Sequence, residues 1–199
     1  MAAEIIDIAR LDPRPWKNGA GVTRELAVHP PDASMDDFDW RISIAEVAAD
    51  APFSAFNGVD RCIVLLRGAG MRLRSDDGRL DRHLAQALEP FHFPGDDALQ
   101  AELIDGPSSD FNVMTRRGHW RADVTPVHAF HASTASAASL VLCCSGEAAL
   151  AVGDQPMSLH AGQAVLWRDG GPALRITPSF AASLLLVQLH HLCEDQVRP

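Results

Sequence analysis

Tyrosine is absent from all 199 residues, and aromatic residues of any kind make up only 6% of the chain. Without a phenol, mechanisms that need tyrosine as a general acid are excluded. Long apolar runs are also missing, because no segment approaches the roughly 20 apolar residues of a membrane-spanning helix. Residues 1–13 mix charged with apolar side chains and lack the apolar core of a signal peptide. The sequence therefore predicts no membrane association.

Cysteine is sparse, and its spacing carries no redox or zinc motif. The four cysteines are Cys62, Cys143, Cys144 and Cys193, and no two of them form a Cys-x-x-Cys pair. The adjacent pair would point to opposite faces of any strand. This usage fits a reducing compartment and predicts a cytoplasmic protein.

Positive charge is scarce as well. Lys and Arg total 17 against 26 Asp and Glu, which gives a formal net charge of −9. No stretch clusters basic residues as a surface that follows phosphates would, so nucleic acid is excluded as a partner. The chain is nevertheless 47% apolar, enough to bury a core. The composition predicts a folded protein.

Short apolar runs bounded by Gly, Pro, Asp and Asn recur from end to end, whereas helix signals are scarce. This pattern predicts an all-β fold. The predicted strands cover residues 22–28, 40–47, 62–66, 70–74, 80–87, 100–104, 111–115, 140–144, 148–152, 163–167, 173–177 and 183–190.

Two halves of the chain share a pattern. Residues 63–73 read as strand, glycine turn and strand, with Phe-Pro-Gly-Asp following at 93–96. Residues 140–150 repeat that order, with His-Ala-Gly-Gln following at 160–163. We predict two related halves, 1–125 and 126–199, each a β-barrel or sandwich of the cupin type and both packed as one unit. A homodimer is compatible with this pattern.

The metal signature of cupins is missing from this skeleton. There is no His-x-His followed by a downstream Glu and a later His, and residues 66–73 contain no histidine. Neither a P-loop, a dinucleotide fingerprint nor a Gly-x-Ser-x-Gly nucleophile motif occurs. The sequence therefore predicts no metal, no cofactor and no catalytic residue.

Four motifs in order resemble one family. They are Trp-Lys-Asn-Gly at 16–19 with Gly-Val-Thr-Arg-Glu at 21–25, Trp-Arg-Ile-Ser-Ile-Ala-Glu-Val at 40–47, Phe-Ser-Ala-Phe-Asn-Gly-Val-Asp-Arg at 53–61, and Asp-Phe-Asn-Val-Met at 110–114. They resemble the HutD/Ves family over residues 7–118, and more weakly beyond. The resemblance implies a bicupin fold, a bacterial cytoplasmic protein and an association with histidine utilisation, and it supplies no established catalytic residues.

The first of these motifs provides five candidate ligand-binding residues: Lys17, Asn18, Thr23, Arg24 and Glu25. Alternation from residue 22 places Arg24 on a face with Val22, Leu26 and Val28. A guanidinium among apolar side chains needs an acidic partner or an anionic ligand. The alternative is a capped turn with a surface ion pair, which contributes little.

Arg41, Ser43, Arg61 and Asn112 complete the candidate site. Alternation over residues 40–47 presents Arg41 beside the Ser43 hydroxyl, and Arg61 opens an apolar run that reads as a central strand. The alternatives are that Arg41 lies on a solvated face, that Arg61 forms an ion pair with Asp60, and that the Asn112 side chain hydrogen-bonds to backbone groups of a turn.

Converging arginines would select a small carboxylate, because a guanidinium fork matches two carboxylate oxygens. Urocanate, histidine or formylglutamate would suit the pathway that the resemblance implies. We predict a metal-free carboxylate-binding protein with a regulatory or metabolite-sensing role. The alternatives are a metal-independent cupin enzyme, an isomerase or hydrolase with Glu25 or Glu46 as base, and a protein-interaction module.

Overall fold

The computed structural model describes residues 2–192 and consists almost entirely of strands. The strands are β1 (Glu4–Asp7), β2 (Arg14–Pro15), β3 (Gly21–His29), β4 (Trp40–Val47), β5 (Ala51–Phe53), β6 (Val59–Arg67), β7 (Met71–Ser75), β8 (Asp81–Leu84), β9 (Pro90–Pro94), β10 (Leu99–Leu103), β11 (Ser108–Arg116), β12 (Trp120–Val127), β13 (His131–Ala132), β14 (Ala138–Ser145), β15 (Glu147–Val152), β16 (Gln155–His160), β17 (Gln163–Trp167), β18 (Leu174–Pro178) and β19 (Ser183–His191). One 3-10 turn, Ile8–Arg10, is the only helical element among the described residues. The all-β prediction is therefore confirmed, and each of the twelve predicted strands overlaps an observed one.

Residues 11–120 form one compact unit. Its larger sheet has the order β2-β3-β4-β11-β6-β9, and its smaller sheet has the order β5-β10-β7-β8. Apolar side chains of the two sheets share one core, to which Ile63 and Phe93 contribute from the larger sheet and Met71, Leu73 and Leu99 from the smaller. Alternation explains this arrangement, since every second residue of a strand points to the same face.

The second unit comprises residues 121–192 and the described part of 1–10. Its sheets have the orders β1-β17-β14-β19-β12 and β13-β18-β15-β16. Their facing sides share an apolar core that includes Val141, Leu150, Val165, Ile176 and Leu184. Within residues 2–192 no sheet closes on itself, so each unit is a sandwich of two sheets and not a closed barrel.

The division along the chain differs from the sequence-based one in two places. The first unit ends at residue 120, within β12, and not at residue 125. The N-terminal strand β1 pairs antiparallel with β17, Ile6 opposite Ala164, and so groups with the C-terminal unit. The sequence-based division places β1 in the first half because β1 precedes that half directly. An edge strand of four residues has too little alternation to indicate its partner strand.

No helix within the described residues is long and apolar enough to cross a lipid bilayer. Cys62 and Cys143 are buried, and Cys144 is half-buried, all three with free thiols. Burial raises the pKa of the Cys62 and Cys144 thiols to about 12, so both stay protonated at neutral pH. Cys193 lies outside the described residues.

Candidate functional site

Three rows of side chains cross the inner face of the six-stranded sheet. In the first row Arg41 of β4 lies opposite Met114 of β11, which lies opposite Arg61 of β6. The antiparallel register places Ser43 opposite Asn112 in the next row and Ala45 opposite Asp110 in the third. Because alternate residues share a face, β4 and β11 present the polar side chains of these three rows to one space.

That space is a cavity of about 490 Å³. Its lining residues come from the segment before β3, from β3 to β6 and from β11: Arg14, Pro15, Trp16, Lys17, Asn18, Thr23, Met35, Arg41, Ser43, Ala45, Pro52, Phe53, Ser54, Phe56, Arg61, Asp110, Asn112 and Met114. A volume in this range suits a small molecule held by a few polar groups on largely apolar walls.

Arg41 is 8% exposed and is fixed by two neighbours. Its Nε donates to the Glu25 carboxylate at 2.7 Å, and Nη1 donates to the Ser43 hydroxyl at 3.3 Å. Arg14 approaches the other Glu25 oxygen at 3.9 Å. Glu25 is not among the lining residues, so its role here is to orient Arg41.

Arg61 is held mainly by aromatic rings. Its guanidinium carbon lies 5.1 to 5.5 Å from the ring centroids of Phe53, Phe56 and Phe93, a distance typical of cation–π contact. Nη1 donates to the Ser54 carbonyl at 3.4 Å, and Nε finds no hydrogen-bond partner within residues 2–192. The Arg61 side chain is therefore held in place, while its Nε–H remains an unpaired donor among the described residues.

Burial lowers the pKa of Arg61 to about 10, with Asp110 opposing this effect and Arg41 adding to it. The guanidinium therefore remains charged at neutral pH. Because the charge of Arg41 helps to lower the pKa of Arg61, the two cations act on the same space.

Asp110 is the functional residue that the sequence-based reasoning missed. Its side chain lines the cavity, the residue is 1% exposed, and neither carboxylate oxygen accepts a hydrogen bond from any described residue. Burial raises the pKa of Asp110 to about 7, and Arg61 limits the rise. The motif at 110–114 contains the signal, since Asp110 and Asn112 alternate with buried Phe111 and Val113. The sequence-based interpretation, a turn entering a strand at residue 111, leaves Asp110 in the turn.

The turn between β2 and β3 lines the cavity with Trp16, Lys17 and Asn18. Gly19 has φ +73°, which suits glycine, and its amide donates to the Trp16 carbonyl at 3.0 Å. The Asn18 side chain accepts from the Ala20 amide at 3.1 Å, as the capped-turn alternative predicted. Thr23 lines the cavity and accepts a hydrogen bond from the Trp16 indole at 2.8 Å.

Arg24 lies on the opposite face of the sheet, which corrects its assignment to the site. It pairs with Ile44 in the register, and its Nη1 donates to Glu46 at 2.6 Å. The alternation fails because the register shifts between Glu25 and Ala27, and a bulge of one residue moves the following side chains to the other face. Two arginines therefore converge on the cavity, not three.

The remaining predicted residues are brought together. Lys17, Asn18, Thr23, Arg41, Ser43, Arg61 and Asn112 all line the cavity. The alternative of an Asp60–Arg61 ion pair is not observed: Asp60 instead accepts a hydrogen bond from Arg117 at 2.7 Å.

The metal centre found in many cupins does not fit this cavity. Its described lining contains one carboxylate, Asp110, and neither histidine nor cysteine. Elsewhere in residues 2–192, no three His, Cys, Asp or Glu side chains group as metal ligands.

Comparison with solved structures defines the class. A cupin 2 conserved barrel domain protein from Leptotrichia buccalis matches with a TM-score of 0.56 at 11% identity, covering 93% of this chain and 95% of that one. The chain is thus a cupin-like all-β protein, with a cavity that two buried arginines line in its first unit. More specifically, the HutD family model matches residues 9–185, and the chain belongs to the HutD family.

Individual relatives agree with this assignment and confirm the resemblance. The chain is 37% identical to Protein Ves of Citrobacter koseri over 174 residues, which is 87% of either chain. It is 35% identical to Protein Ves of Escherichia fergusonii, covering 98% of this chain and all of that protein. HutD of Pseudomonas fluorescens SBW25 superposes with a TM-score of 0.80 at 28% identity, covering 96% of this chain and all of that chain. A conserved protein of unknown function from Pseudomonas aeruginosa PAO1 has a TM-score of 0.87 at 30% identity over the same shares.

Proposed function

We propose that this protein binds a small carboxylate without a metal, in the cavity between Arg41 and Arg61. The observation that carries the proposal is the pair of buried, charged guanidinium groups in one cavity, with Arg61 Nε unpaired among the described residues. Burying a cation is costly unless an anion compensates it. Glu25 compensates Arg41, whereas Arg61 has only aromatic faces, the Ser54 carbonyl and a half-protonated Asp110.

The rim of the cavity adds to its positive character. Arg14 and Lys17 both line it, and the chain around them carries a net charge of −9. Lys17 is moreover the only lysine in the chain. A concentration of cations in a cleft of an acidic protein attracts an anionic ligand and discriminates against neutral ones.

The role that goes with this ligand is regulatory or metabolite-sensing, in histidine utilisation. Membership of the HutD family supports this part of the proposal. The carboxylates that fit both the cavity and the pathway are urocanate, histidine and formylglutamate. The proposal places the protein in the bacterial cytoplasm, where such intermediates arise.

We further infer that the two units are related halves of a bicupin. Each unit is a pair of antiparallel sheets, and each contains a hairpin with a positive-φ glycine, Gly68 before β7 and Gly146 before β15. In the C-terminal unit the space between the sheets is packed with apolar side chains such as Leu150 and Trp167. Only the first unit is therefore proposed to bind a ligand.

The test is a thermal-unfolding panel with urocanate, histidine, formylglutamate, glutamate and a neutral sugar. A ligand that binds only the native state raises Tm with the logarithm of its concentration. We expect a saturable rise with at least one acid, unaltered by EDTA, and none with the sugar. No shift with any acid contradicts the proposal.

Matched arginine variants locate the binding. Charge-assisted hydrogen bonds contribute about 1.5–3 kcal/mol, so Arg61→Met and Arg41→Met should each weaken affinity roughly tenfold to a hundredfold in calorimetric titration. Arg24→Met is the control, because Arg24 pairs with Glu46 on the opposite face. Equal losses in all three variants contradict binding in this cavity.

Lys17 allows a test that needs no substitution. Reductive ¹³C-dimethylation labels its side chain and otherwise only the N-terminal amine. Because Lys17 lines the cavity, its methyl NMR signal should shift on titration with the bound acid. A Lys17 signal that stays fixed at saturation would place the ligand elsewhere.

A second function, a metal-independent acid–base enzyme, is favoured by one observation. A buried carboxyl with a pKa near 7 in a cleft is the usual form of a general acid or base. Asp110 would then be the acid or base in place of Glu25 and Glu46, because each of those two carboxylates accepts a hydrogen bond from an arginine. NMR of each acid incubated with the protein separates the two functions, because an enzyme alters the acid and a binding protein returns it unchanged.

A further inference from the structure

Asp110 is buried and unpaired, although it faces the cavity. Both of its oxygens lack a donor from the described residues, and so does the amide oxygen of Asn112, its neighbour on the same face of β11. Three accepting atoms thus border the same cavity as the two arginines. Buried acceptors of this kind destabilise a protein unless a water molecule or a ligand satisfies them, and these three border a cavity large enough to hold a ligand.

Arg61 does not satisfy Asp110, although it is close enough to influence its charge. The guanidinium affects the ionisation of Asp110, yet the two side chains share no hydrogen bond, and Arg61 Nε is also unpaired within the described chain. The aromatic clamp of Phe53, Phe56 and Phe93 keeps the guanidinium over the rings. An unpaired donor and unpaired acceptors therefore face one cavity at separate positions.

We infer that the ligand carries an N–H donor in addition to its carboxylate, and that Asp110, assisted by the Asn112 amide oxygen, is the residue that selects for it. This inference rests on the proposed carboxylate binding. The ligand carboxylate binds between Arg41 and Arg61. The N–H group, which belongs to an imidazole, an amide or an ammonium, donates to Asp110. A carboxylate without a donor leaves Asp110 and Asn112 buried and unpaired and is disfavoured.

Pairs of acids in which one member carries an N–H donor and the other lacks it test this selection. Urocanate is paired with 3-(3-furyl)acrylate, whose ring lacks both imidazole nitrogens, and N-acetylglycine is paired with acetoxyacetate, in which only the amide N–H is replaced by oxygen. Calorimetric titration of the full-length protein should give at least tenfold tighter binding for the N–H member of one pair. An N–H member that binds no tighter in either pair, including no binding by either member, overturns the inference.

Variants of Asp110 assign the preference to this residue. Asp110→Leu keeps a similar volume without an acceptor, and it should reduce the preference to less than twofold while arginine-dependent binding persists. Asp110→Asn keeps one accepting oxygen and should retain a preference of threefold or more. A preference that survives unchanged in Asp110→Leu overturns the assignment.

A measurement on the unmutated protein covers the case in which Asp110→Leu does not fold. The side-chain carboxyl ¹³C signal of Asp110, assigned by its loss in Asp110→Asn, should move with urocanate and stay within line width with 3-(3-furyl)acrylate. Equal movement with both overturns the inference. Failure of every acid in the thermal panel instead overturns the proposed function itself, so the two failures are distinguishable.

Discussion

At the scale of single residues, Asp110 links folding to pH. Its pKa is raised to about 7 in the folded state, mainly by burial, while an unfolded aspartate titrates near 3.9. Between these values the folded state holds a proton that the unfolded state has lost. Stability therefore decreases as pH rises from about 4 to 7, by about 1.4 kcal/mol per unit, and this contribution is constant above pH 7.

We expect Asp110→Asn to remove this slope, because the amide resembles the protonated acid. The difference in free energy of unfolding between the variant and the original protein should shift in favour of the variant by roughly 2.6 kcal/mol between pH 5 and pH 8. Urea denaturation at both pH values measures it, with Arg24→Met as a control for unrelated titrations. A difference independent of pH would show that Asp110 is ionised throughout.

The sequence allowed some residues of the cavity to be predicted and misplaced others for identifiable reasons. Arg41 and Ser43 lie on a strand without irregularity, so period-two alternation gave their face correctly. Arg24 precedes a bulge that no local sequence pattern indicates, and the predicted face of Arg24 was therefore wrong. Asp110 was missed because its importance depends on burial and on proximity to Arg61, both of which arise from pairing between distant strands.

At the scale of elements, the β6–β7 hairpin depends on glycine at one position. Gly70 has φ +103°, and a methyl group there would overlap the carbonyl oxygen of Leu84, on the neighbouring strand β8. Gly78, in the β7–β8 connection, also has a positive φ, +73°, but no atom lies within 4 Å of the position of its Cβ. A comparison of alanine substitutions at the two glycines therefore separates the energetic cost of positive φ from the cost of overlap between Cβ and a neighbouring backbone atom.

Gly70→Ala should therefore destabilise the protein more than Gly78→Ala. Positive φ alone costs a non-glycine residue about 1–2 kcal/mol, which is the loss expected for Gly78→Ala. Overlap with a backbone atom adds a further ~1–3 kcal/mol for Gly70→Ala. Urea midpoints at unchanged m-value give both numbers, and equal losses would contradict the close approach of β8.

The strands that the sequence did not reveal all lie at sheet edges. They are β1, β2, β5, β9, β12, β13 and β16, and all but β12 have six residues or fewer. Half of the backbone of an edge strand is unpaired and one side is unprotected, so its residues need not alternate in polarity. Central strands such as β11 and β14 have strong apolar patterns and were found.

At the scale of the whole molecule, strand β1 pairs with β17, a strand more than 150 residues further along the chain. Ile6 of β1 is 6% exposed, whereas its neighbour Ile5 is 59% exposed, as expected for opposite faces of one strand. In the pairing with β17, Ile6 lies opposite Ala164 and Ile5 lies opposite Val165. The stability of the β17 edge therefore depends on a segment far away in sequence.

Ile6→Ala should lower the free energy of unfolding by about 2–4 kcal/mol, because it removes buried methyl groups. Ile5→Ala is the matched control and should change it by less than about 0.5 kcal/mol. Hydrogen exchange should accelerate at the β17 amides in Ile6→Ala alone. Similar effects of both substitutions would contradict the pairing of β1 in this register.

The pairing of β1 with β17 also sets an order of events during biosynthesis. All strands of the unit formed by residues 11–120 are available to one another as soon as that stretch has left the ribosome, whereas β1 is made before this unit and has to wait for β17, which is made after it. Strand β1 can therefore pair only after the whole of the intervening unit has been synthesised. A ribosome stalled before residue 163 would hold a nascent chain in which all the residues that line the cavity are already present while β1 still lacks its partner strand.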